Sequence, residues 1–405
     1  MRSLQEHLNQ QTQLRNHFYG GQTVFHPGEQ KKRLGSFLKS DLQYASANLS
    51  YLLPWIPLED HTKIISDILY NRDLADMDLD CFELLNKVEI KDPQSILQTA
   101  ADSPVIFCTF HFGSYRLINP LLVSRGFRYI LPVDQAIYTE QKQRYMDVFD
   151  EVREHYKGSP DFMVINARES TSALRMLRKS KAGWSILTYI DGATGVHGES
   201  RDDDKSLLIH LLDKPIYVRK GIAFLSYLLK LPIVPVICEY AGLTERNLIL
   251  HEAIYPDRNT MDRDTYFLTA TEKIYAVLGD YLKKSPAQWL GWLDMQKYID
   301  FNAMDDTGLV PTHDESKDMD FVFTDIFTLS FNDNRYGFVE HDDKRVLLDK
   351  QYYRVLELPN PISDLIMTCQ APVEISLKEI DENDKEAILQ LIRQGILIAG
   401  NRTTA

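Results

Sequence analysis

Apolar positions in the first 100 residues recur at helical spacing: Leu38, Leu42, Ala45, Leu49, Leu52 and Leu53, then Ile64, Ile65, Ile68 and Leu69. That spacing predicts amphipathic helices, the first ended by Pro54. Beyond Pro104 the period changes. Short apolar runs at 105–110, 127–133, 162–165 and 184–190 alternate with longer stretches at 141–156 and 170–181 that carry charge on one face. Strands alternating with helices imply βαβ units and a parallel sheet. A further apolar helix around 221–229 leads into a strand at 231–237 that contains Pro235. A proline there breaks the ladder on one side. The expected class is α/β, a mostly parallel sheet flanked by helices.

The pattern stops at residue 303. Residues 303–320 are polar and acidic and read as a linker. Residues 321–405 read as a small α+β unit. Residues 336–339 and 345–349 form a hairpin about the polar turn Asp342-Asp343-Lys344. Helical or turn segments follow at 352–358, 362–367 and 387–394, and 395–398 closes the unit. The organisation expected is therefore residues 1–302, a linker at 303–320, and a winged-helix-like domain at 321–405.

Two positions carry candidate chemistry. His111 falls where the 105–110 strand hands over, through Phe112-Gly113, to a helix marked by Leu117, Ile118, Leu121 and Leu122. Ligands of open α/β sheets bind outside the carboxyl ends of strands, and a helix start adds free N–H groups. Asp191 ends the 184–190 strand and is followed by Gly192 and Gly195, which marks a loop. Asp191 either serves the site or caps a turn, and the residues leave both readings open.

Composition narrows the partners. The chain has 405 residues and a net charge of −13. That argues against nucleic acid, which selects clustered Lys and Arg, and against tight docking on anionic membranes. No run reaches the ~20 apolar residues of a spanning helix. Residues 1–11 are polar and read as no signal peptide. The four cysteines, Cys81, Cys108, Cys238 and Cys369, are widely spaced and show no metal-ligand pattern. Buried free thiols in the cytoplasm are the expected state.

The segment His111-Phe112-Gly113-Ser114-Tyr115-Arg116-Leu117 resembles the active-site motif of the lipid A late acyltransferases, a branch of the lysophospholipid acyltransferase superfamily. That motif runs His, aromatic, Gly, small or polar, aromatic, acidic, Leu, and Arg116 stands at the acidic place. The resemblance continues through Asp191 with a polar segment at 197–205, Lys214-Pro215, Gly221-Ile222-Ala223, Val234-Pro235-Val236, and Trp289-Leu290-Gly291-Trp292, and spans about residues 35–300. The family's N-terminal membrane anchor has no counterpart here. The N-terminal helices would cover the sheet or, functionally, line an acyl-chain groove.

The resemblance implies that His111 acts as general base on an acceptor, which attacks the carbonyl of an acyl thioester carried by coenzyme A or by a carrier protein, with no bound cofactor and no metal. Gly113, Ser114, Tyr115, Arg116, Gly192, Arg219 and Lys220 are the candidate substrate-binding residues, and His111 and Asp191 the candidate catalytic ones. Arg116 cannot orient a histidine as a carboxylate does. Three readings follow. The acceptor is an amine needing less base assistance, and Arg116 grips an anionic group on the substrate. Another carboxylate, Asp191 or Asp134, orients His111. Or the site only binds. The expected function is acyl or aminoacyl transfer to an amine or hydroxyl in natural-product or modified-peptide biosynthesis. A degenerate binding protein and a thioester hydrolase are the alternatives. The 321–405 unit resembles peptide-recognition domains of ribosomal peptide biosynthesis, which implies a peptide or protein partner.

Overall fold

The computed structural model describes residues 2–19, 39–100, 103–156, 161–192, 205–258, 260–299, 326–341, 344–376 and 380–401. The protein is mixed α/β, with a mostly parallel central sheet flanked by helices and several small antiparallel sheets. The chain divides into two units, Met1–Leu34 with Lys63–Ile299, and Gly35–Thr62 with Asp300–Ala405.

In the first unit the strands are β1 Val88–Lys91, β2 Ile106–Gly113, β3 Tyr129–Val133, β4 Phe162–Asn166, β5 Ser185–Tyr189, β6 Ser206–Leu211, β7 Lys214–Arg219, β8 Ile233–Tyr240 and β9 Arg246–Leu250. Seven form one sheet in the order β1-β9-β8-β2-β5-β3-β4, while β6 and β7 pair separately. From β8 to β4 every pairing is parallel, and β9 runs antiparallel to β8. The central strand β2 is buried on both faces at every position but one, and that position is His111. Such two-sided burial gives the continuous apolar run seen in the sequence. Phe107, Leu131, Leu187 and Val234 anchor the core. Pro235 pairs with β2, and its carbonyl accepts from His251 N–H on the β9 side. The β8–β9 ladder begins one residue later, at Val236. The missing N–H of Pro235 therefore falls beyond the end of that ladder.

The helices of this unit are Leu4–Tyr19, most of Leu58–Asp78, Ile118–Ser124, Gln135–His155, Ser172–Lys181, Gly221–Leu229 and Arg263–Lys284, with a single turn at Ile96–Thr99. No described helix is long and apolar enough to cross a membrane.

The second unit contains β10 Ile326–Phe331, β11 Tyr336–His341, β12 Lys344–Asp349, β13 Arg354–Leu356, β14 Val373–Ser376 and β15 Leu397–Asn401, in two three-stranded antiparallel sheets, β14-β10-β15 and β11-β12-β13. Helices Asn360–Thr368 and Glu382–Arg393 pack on a core of Phe327, Leu329, Leu347, Ile366, Leu391 and Leu397. The hairpin read at 336–349 is present as β11 and β12. Residues 352–358, read as helix or turn, contain the strand β13. The acidic stretch 303–320, the turn residues Asp342 and Asp343, and Leu38 lie outside the described residues.

One boundary differs from the sequence reading. Helix Lys39–Leu52, placed there with residues 1–302, belongs to the second unit. Its polar positions explain why. The Asn48 carboxamide accepts from the Tyr353 hydroxyl, Gln43 Oε1 accepts from Lys350 Nζ at 3.0 Å, and Tyr51 packs edge-on against Tyr353 at 5.9 Å. Partners some 300 residues downstream leave no mark in local periodicity.

Candidate functional site

The site begins with a register. In the parallel β2–β5 pair, Ile106 faces Ile186 and Thr109 faces Tyr189, an offset of 80 residues. The same offset sets His111 opposite Asp191, two residues past the last paired residues. There the Asp191 carboxylate takes over from backbone as the acceptor, receiving the His111 backbone N–H at 2.9 Å and 3.1 Å on its two oxygens. On the other side the β2–β8 register breaks, so that four residues of β2 span two of β8 between Thr109 and Gly113. A bulge re-aims side chains beside it, and His111 sits in this one.

His111 Nδ1 lies 2.7 Å from Asp191 Oδ1. The Asp191 side chain is almost fully buried, whereas that of His111 is 27% exposed. Among the described residues His111 Nε2 has no hydrogen-bond partner. Asp191 Oδ2 also accepts the Trp289 indole N–H at 2.7 Å. Tyr115 meets the His111 ring edge-on at 4.8 Å between centroids, and Tyr189 lies 5.0 Å away at a 31° tilt. The Tyr189 hydroxyl donates to the Tyr115 carbonyl and accepts from Asn119. Burial pushes the Tyr115 hydroxyl up to about 12 and that of Tyr189 well above its ordinary value. Burial, then the Asp191 charge, does the same to Cys108 and Tyr298. These groups stay protonated and neutral around one buried carboxylate.

The glycine of the motif is a backbone requirement. Gly113 has φ +57°, and a Cβ there would sit 2.3 Å from the Cys238 carbonyl oxygen. Ser114 faces inward. It is fully buried, its N–H bonds to the Cys238 carbonyl at 2.8 Å, and its hydroxyl donates to Asp78. Expected at the substrate, it instead anchors the turn. Asp78 is gripped by both prongs of Arg246, at 2.9 Å and 3.0 Å. His7 Nε2 lies 3.1 Å from Asp78 but out of line for a hydrogen bond. Burial opposes the charge of Asp78, yet the contacts from His7, Arg246 and Ser114 hold its carboxyl below the ordinary value.

Arg116 is mostly buried, with its Nε 2.6 Å from Asp76 and its guanidinium 5.4 Å from the Tyr115 ring centre. Burial opposes its charge, but Tyr115, Tyr145 and Asp76 hold its proton more firmly than usual. Asp134 is engaged elsewhere: it caps helix Gln135–His155 through Ala136 N–H and pairs with Arg168 at 2.6 Å. The Gly192 carbonyl accepts from the Tyr298 hydroxyl at 3.3 Å. Arg219, at the end of β7, reaches Ser206 Oγ at 3.1 Å, and Lys220 opens helix Gly221–Leu229. The polar segment at 197–205, which completes the expected loop, lies outside the described residues except for Lys205. Among the described residues no group of three or more His, Cys, Asp or Glu could hold a metal ion.

Sequence reasoning missed Trp289, Tyr189, Asp78 and Arg246 as members of this arrangement. Trp289 had a signal, the Trp-Leu-Gly-Trp segment of the resemblance. Tyr189 precedes Asp191 by two and was visible only as strand. The pairing of Asp78 with Arg246 spans 168 residues and had none. Compared with models of known families and with curated proteins, the chain finds no match.

Proposed function

We propose that the first unit is an acyltransferase of the lysophospholipid acyltransferase kind in which Asp191, from the neighbouring strand, stands in for the acidic residue that Arg116 displaces. One observation carries this: His111 Nδ1 is closed on a buried carboxylate at 2.7 Å while Nε2 has no partner among the described residues. In such a dyad the carboxylate holds the proton on Nδ1 and presents Nε2 as the base. The acceptor, an amine or hydroxyl, gives its proton to Nε2 as its N or O attacks the thioester carbonyl. The tetrahedral intermediate then collapses, the C–S bond breaks, and the thiolate leaves with the proton returned from the imidazolium. The acyl donor is a thioester of coenzyme A or of a carrier protein's phosphopantetheine. The four cysteines are free and buried, which suits a cytoplasmic setting.

The second unit we read as a winged-helix-like module for a peptide or protein partner. What supports this is the order helix, strand, helix, strand through Asn360–Thr368, β14, Glu382–Arg393 and β15, which follows the β11-β12-β13 sheet, with β14 and β15 flanking β10 in one antiparallel sheet. The acceptor would then be a biosynthetic peptide or small amine.

The test is thiol release from a panel of acyl thioesters, with and without amine and hydroxyl acceptors. Release that depends on an acceptor, and that His111→Ala abolishes while the protein stays folded, is the expected result. Release into water alone would make the protein a thioester hydrolase. No release from any donor, or near-native turnover in His111→Ala, would overturn the assignment.

A further inference from the structure

The Asp191 carboxylate has two oxygens, and His111 occupies only part of their capacity. Oδ2 receives the Trp289 indole N–H at 2.7 Å, and both groups are buried. The segment that brings Trp289 here is fastened at several points. Trp289 forms an isolated antiparallel bridge with Phe112, the residue after His111. Gln288 clasps the Tyr240 backbone at both its N–H (2.8 Å) and its carbonyl (3.1 Å), at the end of β8. Trp292 donates its indole N–H to the Pro286 carbonyl at 2.7 Å and packs edge-on to Trp289 at 5.0 Å. Gly291 is the only residue type that fits its place, since a Cβ there would lie 2.3 Å from the Trp289 ring.

We infer that Trp289 is a positioning residue that fixes the rotation of the Asp191 carboxylate and so sets the protonation site of His111. An indole nitrogen is a donor only. Its N–H therefore commits Oδ2 as an acceptor and leaves Oδ1 to the His111 Nδ1 proton. Without it Oδ2 keeps only a shared backbone N–H, and the carboxylate is free to turn away from the ring. Trp289 touches no reacting atom on this account; it acts through Asp191. The inference rests on the dyad reading above, and its test separates the two.

The test uses the full chain labelled with ¹⁵N at tryptophan and histidine. In the wild type the Trp289 indole proton and the His111 Nδ1 proton should both resonate downfield. Trp289→Phe keeps an aromatic ring and removes the donor. In that folded variant the Nδ1 proton should move upfield or be lost to exchange with water, and kcat should fall about ten-fold or more with KM little changed, the scale of one charge-assisted hydrogen bond. Should Trp289→Phe fail to fold, Asp191→Asn gives the reciprocal reading: the Trp289 indole proton should shift while the other three tryptophans stay in place. An unchanged His111 Nδ1 resonance in folded Trp289→Phe, or an unchanged Trp289 indole resonance in Asp191→Asn, would overturn the inference. A wild type with no acyl-transfer activity would sink the proposed function while both resonance comparisons still judged the clamp.

Discussion

The sharpest single perturbation is Asp191→Asn, because the new amide fits in the same space in only one sensible orientation. The native carboxylate faces three donors: His111 Nδ1–H near Oδ1, the Trp289 indole N–H at Oδ2, and the His111 backbone N–H shared between them. An asparagine brings one acceptor and one NH₂. With the NH₂ at the Oδ2 place it would point at two donors that cannot accept, a buried clash costing on the order of 1–3 kcal/mol. With the oxygen at Oδ2 those two donors are satisfied, and the NH₂ donates to Nδ1. That orientation forces Nδ1 to be the acceptor and moves the ring proton to Nε2, where the base should be. Geometry is kept and the tautomer is reversed. General-base assistance is worth roughly 10²–10⁴-fold, so kcat should fall within that range while KM moves little. The assay is thiol release followed with a thiol reagent. All four cysteines are buried, so the folded protein contributes little background. Thermal unfolding checks that the variant is folded. Wild-type kcat in a folded Asp191→Asn, alongside an inactive His111→Ala, would refute the assignment of Asp191 as the orienting group.

Two predictions concern the second unit. His61 is buried against Ser46 Oγ at 2.8 Å, and burial pulls its imidazole down to about 4 from an ordinary 6.5. The folded state thus prefers neutral His61, so its contribution is present above pH 6.5 and is lost as pH falls toward 4, roughly 3 kcal/mol in all. His61→Asn should flatten the fall in urea-measured stability across that window, and an unaltered slope would show that His61 does not titrate as placed. Removal of residues after Met304 should strip helix Lys39–Leu52 of its partners and expose the fully buried Ala45, Ala47 and Leu49. The shortened chain should bind a hydrophobic dye and aggregate, and a monodisperse, dye-silent product would show that the helix belongs with the first unit after all.

The central sheet was legible because burial on both faces writes itself into sequence as unbroken apolar runs, as at 105–110 and 184–190. The place of Asp191 just past a strand followed from the same runs, whereas His111, read as following its strand, lies inside β2, which runs on to Gly113. Strand order was not legible, because β2 and β5 are separated in sequence by β3 and β4 yet lie side by side. The second unit shows the same limit. Its hairpin was readable, while the membership of helix Lys39–Leu52 rests on Asn48 and Gln43 meeting residues 353 and 350.

That limit bears directly on the broken motif. A histidine needs an acceptor at Nδ1, and the requirement is geometric: an oxygen within about 3 Å, held by something else. A carboxylate five residues on meets it from the next helical turn and can be seen in sequence. A carboxylate 80 residues on meets it equally well when two strands are parallel neighbours in the right register, and is invisible until that register is known. In the proposed dyad the acceptor lies just past β5, and position 116 is left out of it. Arg116 fills the freed place by pairing with Asp76 and lying against Tyr115, whose ring in turn packs on His111. On this view the arginine is no sign of lost function. In the proposed dyad it is what position 116 can accept, with Asp191, held by Trp289, orienting the base.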